Sequence, residues 1–104
     1  MANRKRSIEE IRKMDFLKLS DFAEFNNVRY STVKFYVERG LLPFVEGNPA
    51  DPHREKKLRQ RGRKLMRYFP RVEASRRLQT ILKLREKGKT VEQIREYIEQ
   101  GDGK

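Results

Sequence analysis

The chain has 104 residues, a length that suits one domain with a single compact core. Its 26 lysine and arginine residues outnumber its 15 aspartate and glutamate residues, and the net charge of +11 predicts binding to a polyanion: DNA, RNA or an anionic membrane. Cysteine is absent and histidine occurs once, which excludes disulfides, thiol nucleophiles and zinc or catalytic histidine clusters. We therefore expect no cofactor and no enzymatic activity.

The first sixteen residues are expected to form a basic arm without the features of a targeting segment. No apolar stretch follows its basic residues, and no apolar run in the chain approaches the ~18 residues of a membrane-spanning helix. We therefore expect no signal peptide, no membrane contact and a cytoplasmic location. Within residues 1–16, Ser7 precedes Glu10 by the spacing of a capping box, so a short helix ending near Met14 is predicted.

Two short helices joined by a tight turn are predicted between Leu19 and Gly40. In the segment LSDFAEFNNV, Ser20 is the expected N-cap of the first helix, which ends near Asn26 and Asn27. Asparagine tolerates the left-handed backbone conformation that such a turn requires.

The second helix is predicted to run from Tyr30 or Ser31 to Arg39, with Gly40 in the C-cap position. Its inward-facing residues follow an i, i+3, i+4 pattern and are Val33, Tyr36 and Val37. The first turn of this helix carries hydroxyl, phenol and cationic side chains. These side chains either have a functional role or form an ordinary helix cap. Two helices this close together are typical of a helix-turn-helix.

A β-ribbon, which we call the wing, is predicted over residues 43–69. Prolines and a glycine interrupt the helical pattern there, and residues 44–45 and 66–69 are candidate strands. Residues 46–65 are expected to form a long basic loop, whose charged segment from Arg54 to Lys64 is disordered in the free protein and binds phosphates when DNA is present. Nine basic side chains lie between His53 and Arg71 against the single carboxylate of Glu55, so this segment holds +8 of the net +11.

A pair of helices is predicted to complete the domain. Pro70 suits the first turn of the first of these helices, which ends at Gly88. The side chains at helical spacing along it are Ala74, Leu78, Ile81, Leu82 and Arg85. Thr90, with Gln93 three positions later, is expected to cap the second helix. Residues 100–104 are expected to form a flexible tail.

Four signals follow one another between residues 17 and 99: a first helix with Leu19 and Ala23, the segment VRYSTVKFYVERGLL, the strand MRYF, and a leucine-rich helix pair separated by Gly88. In this order they resemble the N-terminal DNA-binding domain of the MerR family of bacterial transcription regulators. The resemblance implies a mostly α fold, a winged helix-turn-helix with a short two-stranded wing and a C-terminal helix pair. Family members usually continue into a long dimerisation helix and an effector domain, and we expect no effector domain in this chain.

The resemblance and the charge pattern place the candidate DNA contacts on two elements. The N-terminal turn of a recognition helix reaches the base edges, and its free N–H groups favour phosphate, so short polar or cationic side chains are expected there. The candidate contacts of the recognition helix are Arg29, Tyr30, Ser31, Thr32 and Lys34. Those of the wing are Arg59, Arg61, Arg63, Lys64, Arg67 and Tyr68.

Three positions depart from the family pattern that the resemblance implies. Lys34 stands where arginine is usual, and lysine cannot form the bidentate contact of a guanidinium group. Phe35 replaces a tyrosine whose hydroxyl would be available to the DNA backbone. Met66 replaces a second tyrosine, in the wing.

We expect sequence-specific binding to double-stranded DNA and regulation of transcription at an operator, in association with the nucleoid. The alternatives are an excisionase-like or architectural DNA-bending protein, an RNA-binding basic protein, and a protein-interaction module that docks through its last helix. The basic segment HREKKLRQRGRKLM has no aromatic side chain for base stacking, which disfavours RNA. A homodimer and a DNA-dependent oligomer both fit the sequence, and no small-molecule effector site is expected.

Overall fold

The structure, a computed structural model, describes residues 7–100. Within them lie six helices and a three-stranded antiparallel sheet of strand order β1-β3-β2. The elements in chain order are α1 (Ile8–Lys13), β1 (Phe16–Lys18), α2 (Leu19–Phe25), α3 (Tyr30–Glu38), β2 (Val45–Glu46), α4 (Pro52–Gln60), β3 (Arg67–Pro70), α5 (Arg71–Glu86) and α6 (Val91–Glu99). The mostly α, winged helix-turn-helix architecture is confirmed. Residues 1–6 of the predicted arm and 101–104 of the predicted tail lie outside the described residues.

Helix α1 begins with the predicted capping box. The Glu10 N–H donates to Ser7 Oγ at 3.2 Å, and the Ser7 N–H donates to Glu10 Oε1 at 3.0 Å. Ile11, in the middle of this helix, is fully buried in the same core as the rest of the domain. The short helix therefore covers part of the core instead of extending from it.

Strand β1 makes the sheet one strand larger than the predicted two-stranded wing. It pairs with β3 in the register Leu17 opposite Phe69 and Lys18 opposite Tyr68, and β2 pairs with the other edge of β3. Only three residues form β1, too few for an alternating pattern to distinguish a strand from a loop. Strand β3 is therefore central, and the wing is continuous with the sheet beneath α2.

Helix α2 begins one residue earlier than its predicted cap. Its N-cap is Lys18 and not Ser20, and no side chain caps the helix. Lys18 is held by its pairing with Tyr68, so the chain passes directly from β1 into α2, which leaves Ser20 exposed in the first turn. The predicted end is confirmed, since Asn26 is the C-cap and Asn27 has a φ of 57°.

The core lies between the sheet and the helices. Phe22 stacks on Phe69 with ring centroids 5.0 Å apart, and Phe44 lies 6.2 Å from Phe69 at an angle. The buried apolar side chains are Ile11, Leu17, Phe22, Ala23, Val33, Tyr36, Val37, Leu41, Leu42, Phe69, Ala74, Leu78, Ile81 and Ile94. Because α2, α3, α5 and the sheet all contribute to one cluster, the orientation of α3 is fixed by the whole domain.

The C-terminal helix pair follows its prediction with one small difference. Pro70 is the N-cap of α5 and the last residue of β3, whereas the first turn was predicted for it. The Thr90 and Gln93 capping box of α6 is present, with the Gln93 N–H donating to Thr90 Oγ1 at 3.1 Å. Among the described residues, no helix is long and apolar enough to span a membrane.

The predicted irregular loop of the wing is wrong over Pro52–Gln60, where the chain forms α4. Asp51 is its N-cap, accepting a hydrogen bond at Oδ1 from the Arg54 N–H at 3.2 Å, and Pro52 occupies the first turn. At the other end, the Arg63 N–H donates to the Leu58 carbonyl and the Gly62 N–H to the Arg59 carbonyl, both at 3.0 Å. These two end signals specify a helix despite its excess of positive charge.

Candidate nucleic-acid interface

The turn between α2 and α3 is short and tied to α5. Four residues, 26–29, join the two helices, and the Val28 N–H donates to the Ala23 carbonyl at 3.0 Å. The Asn26 amide nitrogen donates to the Ser75 hydroxyl at 3.0 Å, and Gln79 Nε2 donates to the Asn26 amide oxygen at 3.4 Å. The relative angle of the two helices is therefore set both by local turn geometry and by contacts with α5.

Helix α3 has a buried side and an exposed side. The predicted inward residues Val33, Tyr36 and Val37 are each no more than 5% exposed. On the outward side, the exposed residues from the preceding turn to the helix end are Arg29, Tyr30, Ser31, Lys34, Phe35, Glu38 and Arg39. Of the predicted recognition-helix residues, Thr32 alone is half-buried.

The N-terminus of α3 is open. Its N-cap is Arg29, and no side chain caps the helix. The hydroxyls of Ser31 and Thr32 therefore do not serve as the ordinary helix cap considered from the sequence. The Thr32 N–H donates to the Arg29 carbonyl at 3.1 Å, whereas the N–H groups of Tyr30 and Ser31 and the positive end of the helix dipole remain able to bind an anion.

The C-terminus of α3 is held by backbone and side-chain hydrogen bonds. Gly40 adopts the left-handed conformation, with φ of 74°, and the Leu41 N–H donates to the Tyr36 carbonyl at 3.0 Å. Arg95 Nη2 on α6 donates to the Arg39 carbonyl oxygen at 2.6 Å. The C-terminus of α3 is thus held by the buried Leu41 and by the guanidinium group of Arg95, whereas its N-terminus is open.

Phe35 and Arg39 form a pair on the outward side that sequence reasoning did not place in the interface. The guanidinium carbon of Arg39 lies 3.9 Å from the centroid of the Phe35 ring, and the Phe35 ring meets Tyr36 edge-on at 5.4 Å. Phe35 is nevertheless 38% exposed. The sequence does indicate the position of Phe35 on the helix: it follows Ser31 by four residues, and residues at that spacing share one face of a helix.

The two strands of the wing place Arg67 and Tyr68 closer to the core than the rest of the wing. Tyr68 lies on the central strand, between Lys18 and Val45, and both it and Arg67 are half-buried. The guanidinium carbon of Arg67 lies 5.1 Å from the Phe44 ring centroid, a distance at which a cation is attracted by the ring face. Arg67 therefore packs on the wing as well as carrying charge.

The remaining wing cations lie on α4 and the turn that follows it. Within residues 7–100, none of them has an ion pair or a side-chain hydrogen bond, and all are exposed. They are Arg54, Lys56, Lys57, Arg59, Arg61, Arg63 and Lys64. By contrast, the guanidinium groups of Arg71 and Arg95 bond to backbone carbonyls of the domain. The positive charges of α4 and the following turn thus form no ion pair within the described residues.

Helix α4 is joined to the wing by close packing at Gly47. A Cβ atom at this buried glycine would lie 3.2 Å from Leu65 Cδ1 and 3.3 Å from Glu55 Cγ. Glu55 and the half-buried Leu58 are three residues apart and share the side of α4 that packs on the wing. Arg54, Lys56 and Lys57, which are not among the six candidate wing contacts, extend the basic surface beyond Arg59.

The structure thus collects the predicted residues on two surfaces. One is the exposed N-terminal end of α3, with its N-cap Arg29 and with Tyr30, Ser31 and Lys34. The wing residues divide between the exposed α4 segment and the half-buried strand β3. No cluster of three or more metal-ligating side chains occurs in the part of the chain that the structure describes.

Comparison with protein families gives a match over residues 17–101 to the family described as MerR HTH family regulatory protein. Comparisons with curated proteins and with solved structures give no significant match. The matched residues include α2, α3, the wing and the helix pair, whereas α1 precedes them. The chain therefore belongs to the MerR helix-turn-helix family of DNA-binding transcription regulators.

Proposed function

We propose that the protein recognises a specific operator in double-stranded DNA by inserting the outward side of α3 into the major groove. The observation that carries this proposal is the division of α3 into a buried apolar side and an exposed side with Tyr30, Ser31 and Lys34 at its uncapped N-terminal end. Hydroxyl and phenol groups contact base edges, and the cationic groups of Arg29 and Lys34 complement phosphate. Family membership supports DNA as the ligand.

The wing is proposed to contact the DNA backbone beside the operator contacts of α3. Its seven exposed cations outnumber the three carboxylates of Glu46, Asp51 and Glu55, and they lack partners among residues 7–100. Like charges three or four residues apart, such as Lys57 and Arg61, destabilise an isolated helix, and a row of phosphates would remove that repulsion. This element then supplies affinity without sequence preference, mainly through Arg59, Arg61, Arg63 and Lys64, with Arg67 and Tyr68 at its base.

The proposed regulator acts on the nucleoid, either as a homodimer or as copies that associate along the DNA. Two-fold symmetric proteins bind inverted half-sites, whereas head-to-tail copies bind direct repeats. The arrangement of half-sites in the operator therefore distinguishes the two assemblies.

The experiment that tests this function is selection of bound sequences from a random duplex pool at near-physiological salt. We expect one motif to be enriched by the wild-type protein, and Ser31→Ala or Tyr30→Ala to relax the preference at one or two positions. Tyr97→Ala removes a comparably exposed aromatic side chain from α6 and serves as the control. Salt-sensitive binding without any enriched motif would contradict operator recognition and favour an architectural or RNA-binding role.

A further inference from the structure

Phe35 is a partly exposed aromatic residue on the outward side of α3. The three buried side chains of α3 define its core side, and Phe35 lies away from them, one turn after Ser31 and beside Lys34. It is 38% exposed although phenylalanine is among the side chains most often buried. Among residues 7–100, the ring contacts of Phe35 are with Tyr36 on the same helix and Arg39 at its end.

The ring is also held in place before any ligand binds. Arg39 lies over it at 3.9 Å, and Tyr36, itself buried, meets it edge-on at 5.4 Å. A side chain that is already ordered loses less conformational entropy when it makes a contact. Phe35 therefore presents a fixed apolar surface on the side of α3 that the proposed function directs at DNA.

We propose that Phe35 determines specificity by packing against the C5-methyl group of a thymine in the major groove. A phenyl ring has no hydrogen-bond donor or acceptor, so it cannot contact a phosphate oxygen or a polar base edge as tyrosine would. Thymine is the one DNA base that presents a methyl group in the major groove, and apolar side chains recognise it there. The assignment rests on the proposed insertion of α3.

The test replaces, one at a time, each thymine of the selected operator by uracil, which removes the methyl group and keeps every hydrogen-bonding group. Dissociation constants are measured by fluorescence anisotropy at one salt concentration. We expect one position at which uracil weakens wild-type binding about fourfold, the factor that corresponds to one buried methyl group. Phe35→Ala should bind the thymine and uracil operators with equal affinity, whereas Phe35→Leu should retain part of the difference.

Tyr97→Ala is the matched control, and it should keep the full uracil penalty. The substitution is made on the DNA, so the wild-type protein alone is enough to contradict the inference. If an operator is enriched but uracil weakens binding at none of its thymines, the inference is wrong. The proposed function is not affected by that outcome. A uracil penalty that persists in Phe35→Ala, folded as judged by circular dichroism, assigns the methyl contact to another residue. Failure to enrich any motif contradicts the proposed function itself.

Discussion

Arg95 Nη2, on α6, donates a hydrogen bond to the backbone carbonyl oxygen of Arg39 at 2.6 Å, and Arg39 is the C-cap of α3. The two residues are 56 positions apart in sequence. A cation at this end of the helix also interacts favourably with the negative end of its dipole. On α5, Arg77 Nη1 donates a hydrogen bond to the carbonyl oxygen of Leu41, just after α3, at 3.4 Å. The C-terminal helix pair thus determines where α3 ends in space.

Arg95→Ala should lower the free energy of unfolding by about 1 kcal/mol, because a charge-assisted hydrogen bond at an exposed site is lost. We expect its affinity for the selected operator to fall more than its affinity for a random duplex, since a loosened α3 loses base contacts before phosphate contacts. Urea denaturation and anisotropy titrations measure the two effects. Arg76→Ala, an exposed arginine on α5, is the control. Equal losses on both DNAs would mean that Arg95 contributes only charge.

Ile11→Ala should destabilise the domain by about 2–5 kcal/mol, the usual cost of truncating a fully buried aliphatic side chain. Ile8→Ala provides a matched control on the same helix, because Ile8 is 40% exposed and its truncation should change stability by less than about 0.5 kcal/mol. Both variants are compared by urea denaturation. Similar midpoints for the two would show that α1 does not pack on the core in solution.

Arg61→Gln should weaken binding to every duplex by a similar factor. Loss of one phosphate contact is expected to reduce the slope of log K against log salt by about 0.9. The operator motif itself should not change, because the backbone carries no direct sequence information. Arg85→Gln, an exposed arginine near the end of α5, is the control for net charge alone. An unchanged slope for Arg61→Gln would remove this residue from the interface.

Much of the fold could be predicted from residues that typically begin or end a helix. The capping boxes at Ser7 and Thr90, Asn27 in the turn and Gly40 after α3 were all predicted and are present. Strand β1 was missed because three residues carry no periodicity, and its partner strand is remote in sequence. Helix α4 was missed for a different reason: Pro52 was interpreted as a break and Gly62 was not considered, although Asp-Pro and Gly also mark the two ends of a helix.

The candidate site was predicted unevenly. The outward placement of Ser31 and Lys34 follows from helical periodicity, whereas Tyr30, three residues before the buried Val33, is exposed because it is the first residue of α3. The partial burial of Thr32 and the packing of Arg67 on Phe44 depend on neighbouring elements, so a single sequence could not indicate them. The same holds for the Arg95 contact with α3. Phe35 was visible only as a departure from the family pattern, and its ordered environment emerged from the structure.

The central position of β3 has a consequence for how the protein folds. Leu17 and Phe69 pair across half of the 104-residue chain, and α2, α3, β2 and α4 all lie between them in sequence. Closing so long a loop costs entropy before the pairing stabilises the fold, so we expect the pairing of β1 with β3 to slow folding relative to a sheet built from local contacts. The wing shares its central strand, β3, with β1, which leads into α2. Grafted onto another scaffold without β1, it would lose the strand that completes its sheet.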